Sequence, residues 1–274
     1  MIAPTLGGGQ WWADRRWRSG WRVQQHVVTG RHRLLDPRDR QHASGHLGRC
    51  LDALEALAPP PEQSELVVLL HGLGRTRRSM RPMARALRQA GHRVAALDYP
   101  STRRPIRAHI AQLRELLAHL QGPRRLSFVT HSLGGIVARG LLDDPPQEVR
   151  RVVMCAPPNR GAALARVLSE RLGPAFTALM GPAVRELASA PAVGQPTVPF
   201  LVVAGSHGPR GLNPLIDGDD DGVVGVEETK LDGMSEHVLV RSLHTFVMAH
   251  PAAIDTTLRF LSSPQDGERG NRSG

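Results

Sequence analysis

Lysine is almost missing from this chain. Lys230 is the only one, although Lys and Arg together number 35 against 25 Asp and Glu, for a formal net charge of +10. The positive charge is carried by arginines scattered over helix-like and loop-like segments alike. No nucleic-acid motif accompanies them, so the excess reads as genomic base composition and no nucleic-acid partner is expected. Cysteine is scarce too. Cys50 and Cys155 alone, in a chain of 274 residues, exclude a disulfide framework and fit a reducing compartment. Aromatic residues make up 4%, so aliphatic side chains must fill the core. No stretch approaches the roughly 18 apolar residues of a membrane span. The first twenty residues lack the apolar segment of a signal peptide. A cytoplasmic protein without stable membrane insertion is therefore expected. The histidines, aspartates and cysteines form no convincing His-x-x-Glu-His or paired-Cys set, so neither a metal nor a cofactor is expected.

What is present is a regular alternation. The length suits one large α/β domain. Residues 66–70 form a continuous apolar run, the mark of a strand buried on both faces of a parallel sheet. A helix follows at 80–90, closed by Gly91, then a strand at 93–97. The pattern continues with a helix at 106–120, a strand at 126–129, a helix at 133–142 and a strand at 149–155. This β-α-β-α-β-α-β rhythm with short loops predicts a doubly wound, mostly parallel sheet flanked by helices. Residues 157–196 interrupt it with two amphipathic stretches, read as a small helical cap. Strands at 198–204 and 238–240 and a helix at 252–261 complete the core. We therefore divide the chain into an N-terminal extension (1–60), a core domain (61–264) and a disordered tail (265–274). Within the extension, residues 1–19 read as a frayed polar start and 21–28 with 31–35 as a hairpin. Helical spacing at Leu47, Cys50, Leu51, Leu54 and Leu57 ends at the prolines 59–61.

The segment Leu126-Ser127-Phe128-Val129-Thr130-His131-Ser132-Leu133-Gly134-Gly135-Ile136 carries the chemistry. A strand runs into a sharp turn bearing a serine, and a helix begins at once, as a nucleophile elbow requires. Such a turn strains the serine backbone and lifts its Oγ clear at the carboxyl end of the sheet. The residues two before and two after must be small because they approach each other. Gly134 satisfies this; Thr130 departs from the usual glycine. A nucleotide site would instead want G-x-G-x-x-G after the first core strand, and His71-Gly72-Leu73-Gly74-Arg75 lacks the third glycine. That loop suits another task. Acyl transfer creates an oxyanion, and two fixed N–H donors stabilise it. The N–H groups of Leu133 and Leu73 are the candidates. His71 reads as structural, bonding loop backbone. His131 adjoins the nucleophile in sequence, so its side chain should point away, into packing or a pocket wall.

An acid and a base should follow in chain order. Four aspartates compete on the loop after the strand at 198–204. Asp221 is preferred because it directly precedes Gly222-Val223-Val224, where the chain re-enters the core; Asp219 and Asp220 are the alternatives. Asp217, Asp219, Asp221, Gly222 and Glu228 also match the spacing of a calcium loop, but that motif needs an entering helix, for which Pro214 leaves no room. Among the histidines that follow, His237 begins a strand and His250 precedes Pro251 at a helix start. His244 lies on the loop after the strand at 238–240, at the same end of the sheet as Ser132, and is the base candidate.

Five stretches together resemble the α/β-hydrolase superfamily, specifically its small bacterial esterases and lipases: VVLLHGLG (67–74), SFVTHSLGGIVAR (127–139), VVMCAPPNRGAALA (152–165), DGVVGVEETKLDGM (221–234) and HTFVM (244–248). The resemblance does not extend to residues 1–60. It implies an α/β-hydrolase fold, a triad of Ser132, Asp221 and His244, and hydrolysis of a small-molecule acyl ester without a cofactor. The same machinery acting on a thioester or amide stays open, as does a catalytically silent fold used as a binding module. A dehalogenase is excluded, because it would need an aspartate where Ser132 stands.

Overall fold

A computed structural model describes residues 8–61, 63–123 and 125–263. The tail expected at 265–274 lies outside the described residues.

The chain opens with a short 3-10 turn, Gly8–Trp11, followed by four antiparallel strands in sequential order: β1 (Trp12–Arg18), β2 (Trp21–His26), β3 (His32–Leu35) and β4 (Gln41–Gly45). Two of these correct the sequence reading. Residues 12–18 are a strand and not a frayed start, and 41–45 extend the expected hairpin into a four-stranded meander. The reason β1 was hidden is chemical. Its inward positions include Asp14 and Arg18, at 0% and 7% exposure, where an apolar pattern would have shown the strand. Helix α1 (Leu47–Leu57) then packs Cys50 and Leu54 onto Val23, Leu34 and Ala43 of the meander.

The core sheet has six parallel strands in the order β10-β9-β8-β7-β5-β6. The chain enters at β5 (Leu66–Leu70), crosses through α2 (Arg81–Gln89) to β6 (Arg93–Leu97), then returns through α3 (Ile106–Ala118) to β7 (Arg125–His131) on the other side of β5. From there it proceeds outward: α4 (Leu133–Leu142), β8 (Glu148–Cys155), α5 (Ala163–Met180), α6 (Ala183–Leu187), β9 (Phe200–Gly205), α7 (Val226–Thr229), β10 (Glu236–Val240) and α8 (Pro251–Ser262). The direction of winding reverses between β5 and β7, so the loops after these two strands diverge and leave a crevice, the usual ligand position of an open α/β sheet.

Every residue of β5 is buried. Alternation sends Leu66, Val68 and Leu70 into one core with α3 and α4, and Val67 and Leu69 into a second core with α2 and α8. Burying each such side chain is worth about 1.5–3 kcal/mol, which makes this strand the hub on which both helix layers rest. Helix α5 differs. None of its residues is buried, and at Gly173 (φ 53°, ψ −135°), just before Pro174, the helix breaks into two segments.

The meander docks on the β6 side through ionic groups. The Asp14 N–H donates to the Asp98 carbonyl at 3.0 Å, and the Asp98 N–H returns to Asp14 Oδ2 at 2.7 Å. Buried Arg22 meets Asp14 at 3.5 Å and Asp98 at 3.2 Å, and also binds Asp39. Removing one partner from such a buried set typically costs about 3–5 kcal/mol, and β1 adds contacts to α3, with Trp17 against the core, Gln112 Nε2 donating to the Asp14 carbonyl at 2.9 Å and Arg15 paired with Glu115 at 3.0 Å.

Candidate active site

Strand β7 and helix α4 meet at Ser132, whose backbone sits at φ 52°, ψ −124°. A non-glycine residue in that region is strained by roughly 1–3 kcal/mol and must be held there by its surroundings. Three contacts hold it. The Ser132 N–H donates to the Cys155 carbonyl on β8 at 2.8 Å, and the Gly135 N–H donates to the Ser132 carbonyl at 2.8 Å. Gly134 lets α4 pass close to β5: a Cβ there would lie 2.5 Å from the Leu70 carbonyl oxygen. Thr130, which stands where glycine is usual, fits because its Oγ1 turns into the sheet and donates to the Val153 carbonyl at 3.2 Å.

The structure brings Ser132, His244 and Asp221 together. His244 Nε2 lies 3.0 Å from Ser132 Oγ, and His244 Nδ1 lies 2.8 Å from Asp221 Oδ2. The carboxylate only accepts, so a neutral His244 donates from Nδ1 and leaves Nε2 open to the serine proton. Asp221 is fixed in turn. Its Oδ1 accepts the N–H groups of Val223 at 3.1 Å and Val224 at 2.8 Å, and its carbonyl accepts the His244 N–H at 2.9 Å. The turn after β9 thus aims one carboxylate oxygen at the imidazole and ties the other to backbone. Asp221 is 1% exposed, whereas Ser132 and His244 keep 8% and 9%. The Asp221 carboxylate is sealed from water while the serine and the imidazole retain an opening.

Neither alternative aspartate faces His244. Asp219 accepts the Ser206 hydroxyl and the N–H groups of His207 and Gly208. Asp220 accepts those of Leu212, Asn213 and Gly222. Both organise the loop between β9 and α7. Glu228 accepts the Gly225 N–H and the Ala163 N–H, which ties α7 to the start of α5. Among the described residues no three potential ligands converge as a metal site requires. His237 lies in β10 and meets the Thr229 hydroxyl at 2.9 Å; His250 caps α8 through the Ala252 N–H.

The loop after β5 lies against the serine. A Cβ on Gly72 would stand 3.1 Å from Ser132 Cβ, so only glycine lets the loop approach this closely. Among the described residues the N–H of Leu73 has no acceptor. Leu133 is the first residue of α4, so its N–H has no partner within the helix. His71 does hold loop backbone: its Nδ1 lies 2.9 Å from the Gly72 carbonyl, its ring stacks on Tyr99 at 4.3 Å, and burial pushes its pKa down.

Two supports escaped the sequence reading. His131 does not merely pack. Its Nε2 lies 2.9 Å from the His244 carbonyl, in a ring that is 2% exposed. Burial first, and then the His244 ring, hold its pKa well below the ordinary value, so it stays neutral and donates from Nε2. The second support is Gln10. Its Oε1 accepts the Thr102 N–H at 2.9 Å and the Ser101 hydroxyl at 3.1 Å, while its Nε2 donates to the Arg75 carbonyl at 2.6 Å. Ser101 Oγ accepts the Gly74 N–H at 3.0 Å, which links this residue of the N-terminal segment to the loop beside Ser132. Nothing in local sequence points to Gln10, because its partners lie elsewhere in the chain.

A sequence profile of the alpha/beta hydrolase family matches residues 67–255. The chain belongs to that family. No curated protein matches the sequence. Among solved structures, the mature lipase BlEst2 of Bacillus licheniformis is 18% identical, with a TM-score of 0.60 over 76% of this chain and 95% of that one. A hydrolase from Pseudomonas aeruginosa is 19% identical, with a TM-score of 0.53 over 75% and 92% of the two chains. Polyneuridine aldehyde esterase is 16% identical, with a TM-score of 0.51 over 73% and 100%. These likenesses concern the fold of this alpha/beta hydrolase and cover about three quarters of it. Among the described residues, no helix is long and apolar enough to cross a membrane.

Proposed function

We propose that this alpha/beta hydrolase cleaves carboxylic esters through an acyl-enzyme on Ser132. The observation that carries the reading is the unbroken series Ser132 Oγ–His244–Asp221, with contacts of 3.0 and 2.8 Å, at a strained elbow. In this reading His244 Nε2 takes the Oγ proton as Oγ attacks the ester carbonyl carbon. The carbonyl π electrons move to oxygen, and the N–H groups of Leu73 and Leu133, with the N-terminal end of α4, stabilise that oxyanion. On collapse the C–O bond to the alcohol breaks, and His244 returns its proton to the departing oxygen. Water then attacks the acyl-enzyme by the same route, with His244 as base and then acid, and the carboxylic acid leaves. Asp221 fixes the imidazole tautomer throughout.

The acyl group expected is apolar. Residues 157–196 act as a cap in this reading. Helix α5 starts at Ala163 on Glu228, close to the acid loop, and ends at Gly181, where a Cβ would lie 2.1 Å from the Thr102 carbonyl oxygen. It therefore runs from the Asp221 side of the site to the loop after β6. Its Leu172 and Leu179 are exposed, which leaves them available to an acyl chain. The lipase and esterase names of the structural neighbours agree with this choice of substrate class.

The test is hydrolysis of the p-nitrophenyl esters of acetate, butyrate, octanoate and laurate by the wild type and by Ser132→Ala. The reading expects turnover by the wild type, a preference for acyl chains longer than acetyl, and loss of turnover in a folded Ser132→Ala. A wild type no faster than buffer on all four esters overturns it.

A further inference from the structure

The family match begins at residue 67, and the meander before it forms, together with α2 and the start of β6, a second cleft of about 540 Å³. That volume falls within the roughly 300–1,000 Å³ of small-molecule sites. It lies along the β6 edge of the sheet, two strand positions from the β7 end that bears Ser132.

Four arginines, Arg38, Arg77, Arg81 and Arg88, line this cleft around the carboxylate of Asp39. The carboxylate is already committed. It binds Arg22 from behind, Arg77 from within the cleft, and Arg78 at 3.1 Å. Arg77 also reaches Asp98 at 3.4 Å. Among the described residues, Arg38, Arg81 and Arg88 make no ion pair. The Arg88 guanidinium turns instead to the Val94 carbonyl at 3.3 Å, a neutral acceptor. The fold thus brings arginines from two separate segments, the β3–β4 turn and the α2 region, to one concave surface. Burial, and then the neighbouring Arg77, hold the Arg88 guanidinium below its ordinary pKa, and a polyvalent anion in the cleft relieves that like-charge repulsion. Guanidinium groups, planar and permanently charged, are matched to phosphoryl oxygens, which they bind in pairs.

We infer that this cleft binds an anion carrying two or more phosphoryl groups. The chemistry is shared by a free polyphosphate compound and by a multiply phosphorylated lipid headgroup. The site is independent of ester hydrolysis, since Ser132, His244 and Asp221 take no part in it.

The test uses the full chain and two double variants that remove the same charge. Arg81→Gln with Arg88→Gln alters the cleft; Arg166→Gln with Arg171→Gln alters exposed positions on α5. Calorimetric titration with tripolyphosphate should give saturable binding at one site. The cleft variant should bind at least about tenfold more weakly, while the α5 variant stays near wild type. Hydrolysis of p-nitrophenyl butyrate by the cleft variant should stay at the wild-type rate, which shows that it is folded. A parallel flotation with vesicles containing phosphatidylinositol bisphosphate separates the sources. Saturable binding of tripolyphosphate assigns the free compound. Binding to vesicles alone, lost in the cleft variant, assigns the lipid headgroup. If neither probe binds, or if both double variants weaken binding equally, the inference fails, because the effect then belongs to net charge and not to the cleft.

Discussion

The imidazole of His131 and the main-chain carbonyl of His244 lie 2.9 Å apart, so the residue before the serine holds the backbone of the residue that faces it. His131→Phe keeps the ring volume but removes the donor, leaving the His244 carbonyl unsatisfied. We expect kcat on an ester to fall on the order of tenfold with KM nearly unchanged, because the base is displaced and the pocket is not. His131→Gln, which can present an N–H at similar reach, should restore most of the loss. Steady-state kinetics of the three proteins check this. An unchanged kcat in His131→Phe would show that the contact is packing alone.

Asp221 fixes which nitrogen of His244 carries the proton. Asp221→Asn keeps the shape but can donate to Nδ1, which moves the proton to Nε2 and removes the acceptor that Ser132 needs. The expected loss in kcat is about a thousandfold or more. Asp219→Asn should leave kcat within a few-fold of wild type and act on stability, because Asp219 faces Ser206, His207 and Gly208. Kinetics paired with thermal melts separate the two effects.

Two glycines should fail in different ways. A Cβ at Gly72 would meet His131 Nδ1 at 2.8 Å and Ser132 Cβ at 3.1 Å, so Gly72→Ala presses on the site itself. A Cβ at Gly134 would meet the Leu70 carbonyl oxygen at 2.5 Å and that of His71 at 2.9 Å, so Gly134→Ala forces α4 off the sheet. We expect Gly72→Ala to lose most activity while melting near the wild type. Gly134→Ala should lose roughly 1–3 kcal/mol of stability. Circular dichroism melts and ester hydrolysis on the same samples test the contrast.

Asp14 ties stability to pH. Burial, only partly offset by Arg22, pushes its carboxyl up to about 6 from the ordinary 3.8. A raised carboxyl pKa means that the folded chain keeps its proton after the unfolded chain has released it. Asp14 therefore costs nothing below about 3.8 and weakens folding as pH rises towards about 6, by on the order of 3 kcal/mol in full. Asp14→Asn lacks this cost, so its melting temperature should gain on that of the wild type through that window and then run parallel to it. A difference that is flat with pH would contradict the assignment.

Much of the candidate site is legible in the sequence because it is local. The elbow at Ser132 is written in consecutive residues, with a strand on one side and a helix on the other. The order serine, acid, histidine placed Asp221 and His244 at strand ends, and the continuous apolar run 66–70 announced a sheet buried on both faces. What was not legible depends on partners far apart in the chain. Strand β1 buries Asp14 beside Arg22 and Asp98, an arrangement that looks polar in sequence and becomes interior only when the ions meet. Gln10 and His131 have the same character: each acts through a backbone group of a distant segment, which no periodicity records. The sequence prefers Asp221 over Asp219 and Asp220 by position alone; that only Asp221 of the three meets His244, at 2.8 Å, is a property of the folded turn.

The central claim is that Ser132 is a nucleophile activated by His244. The most direct measurement is reaction of the native protein with a fluorophosphonate, followed by tandem mass spectrometry of its peptides. We expect one adduct per chain, on Ser132, absent from Ser132→Ala and formed far more slowly in His244→Ala. A folded wild type that takes no label, or takes it on another residue, would contradict the claim.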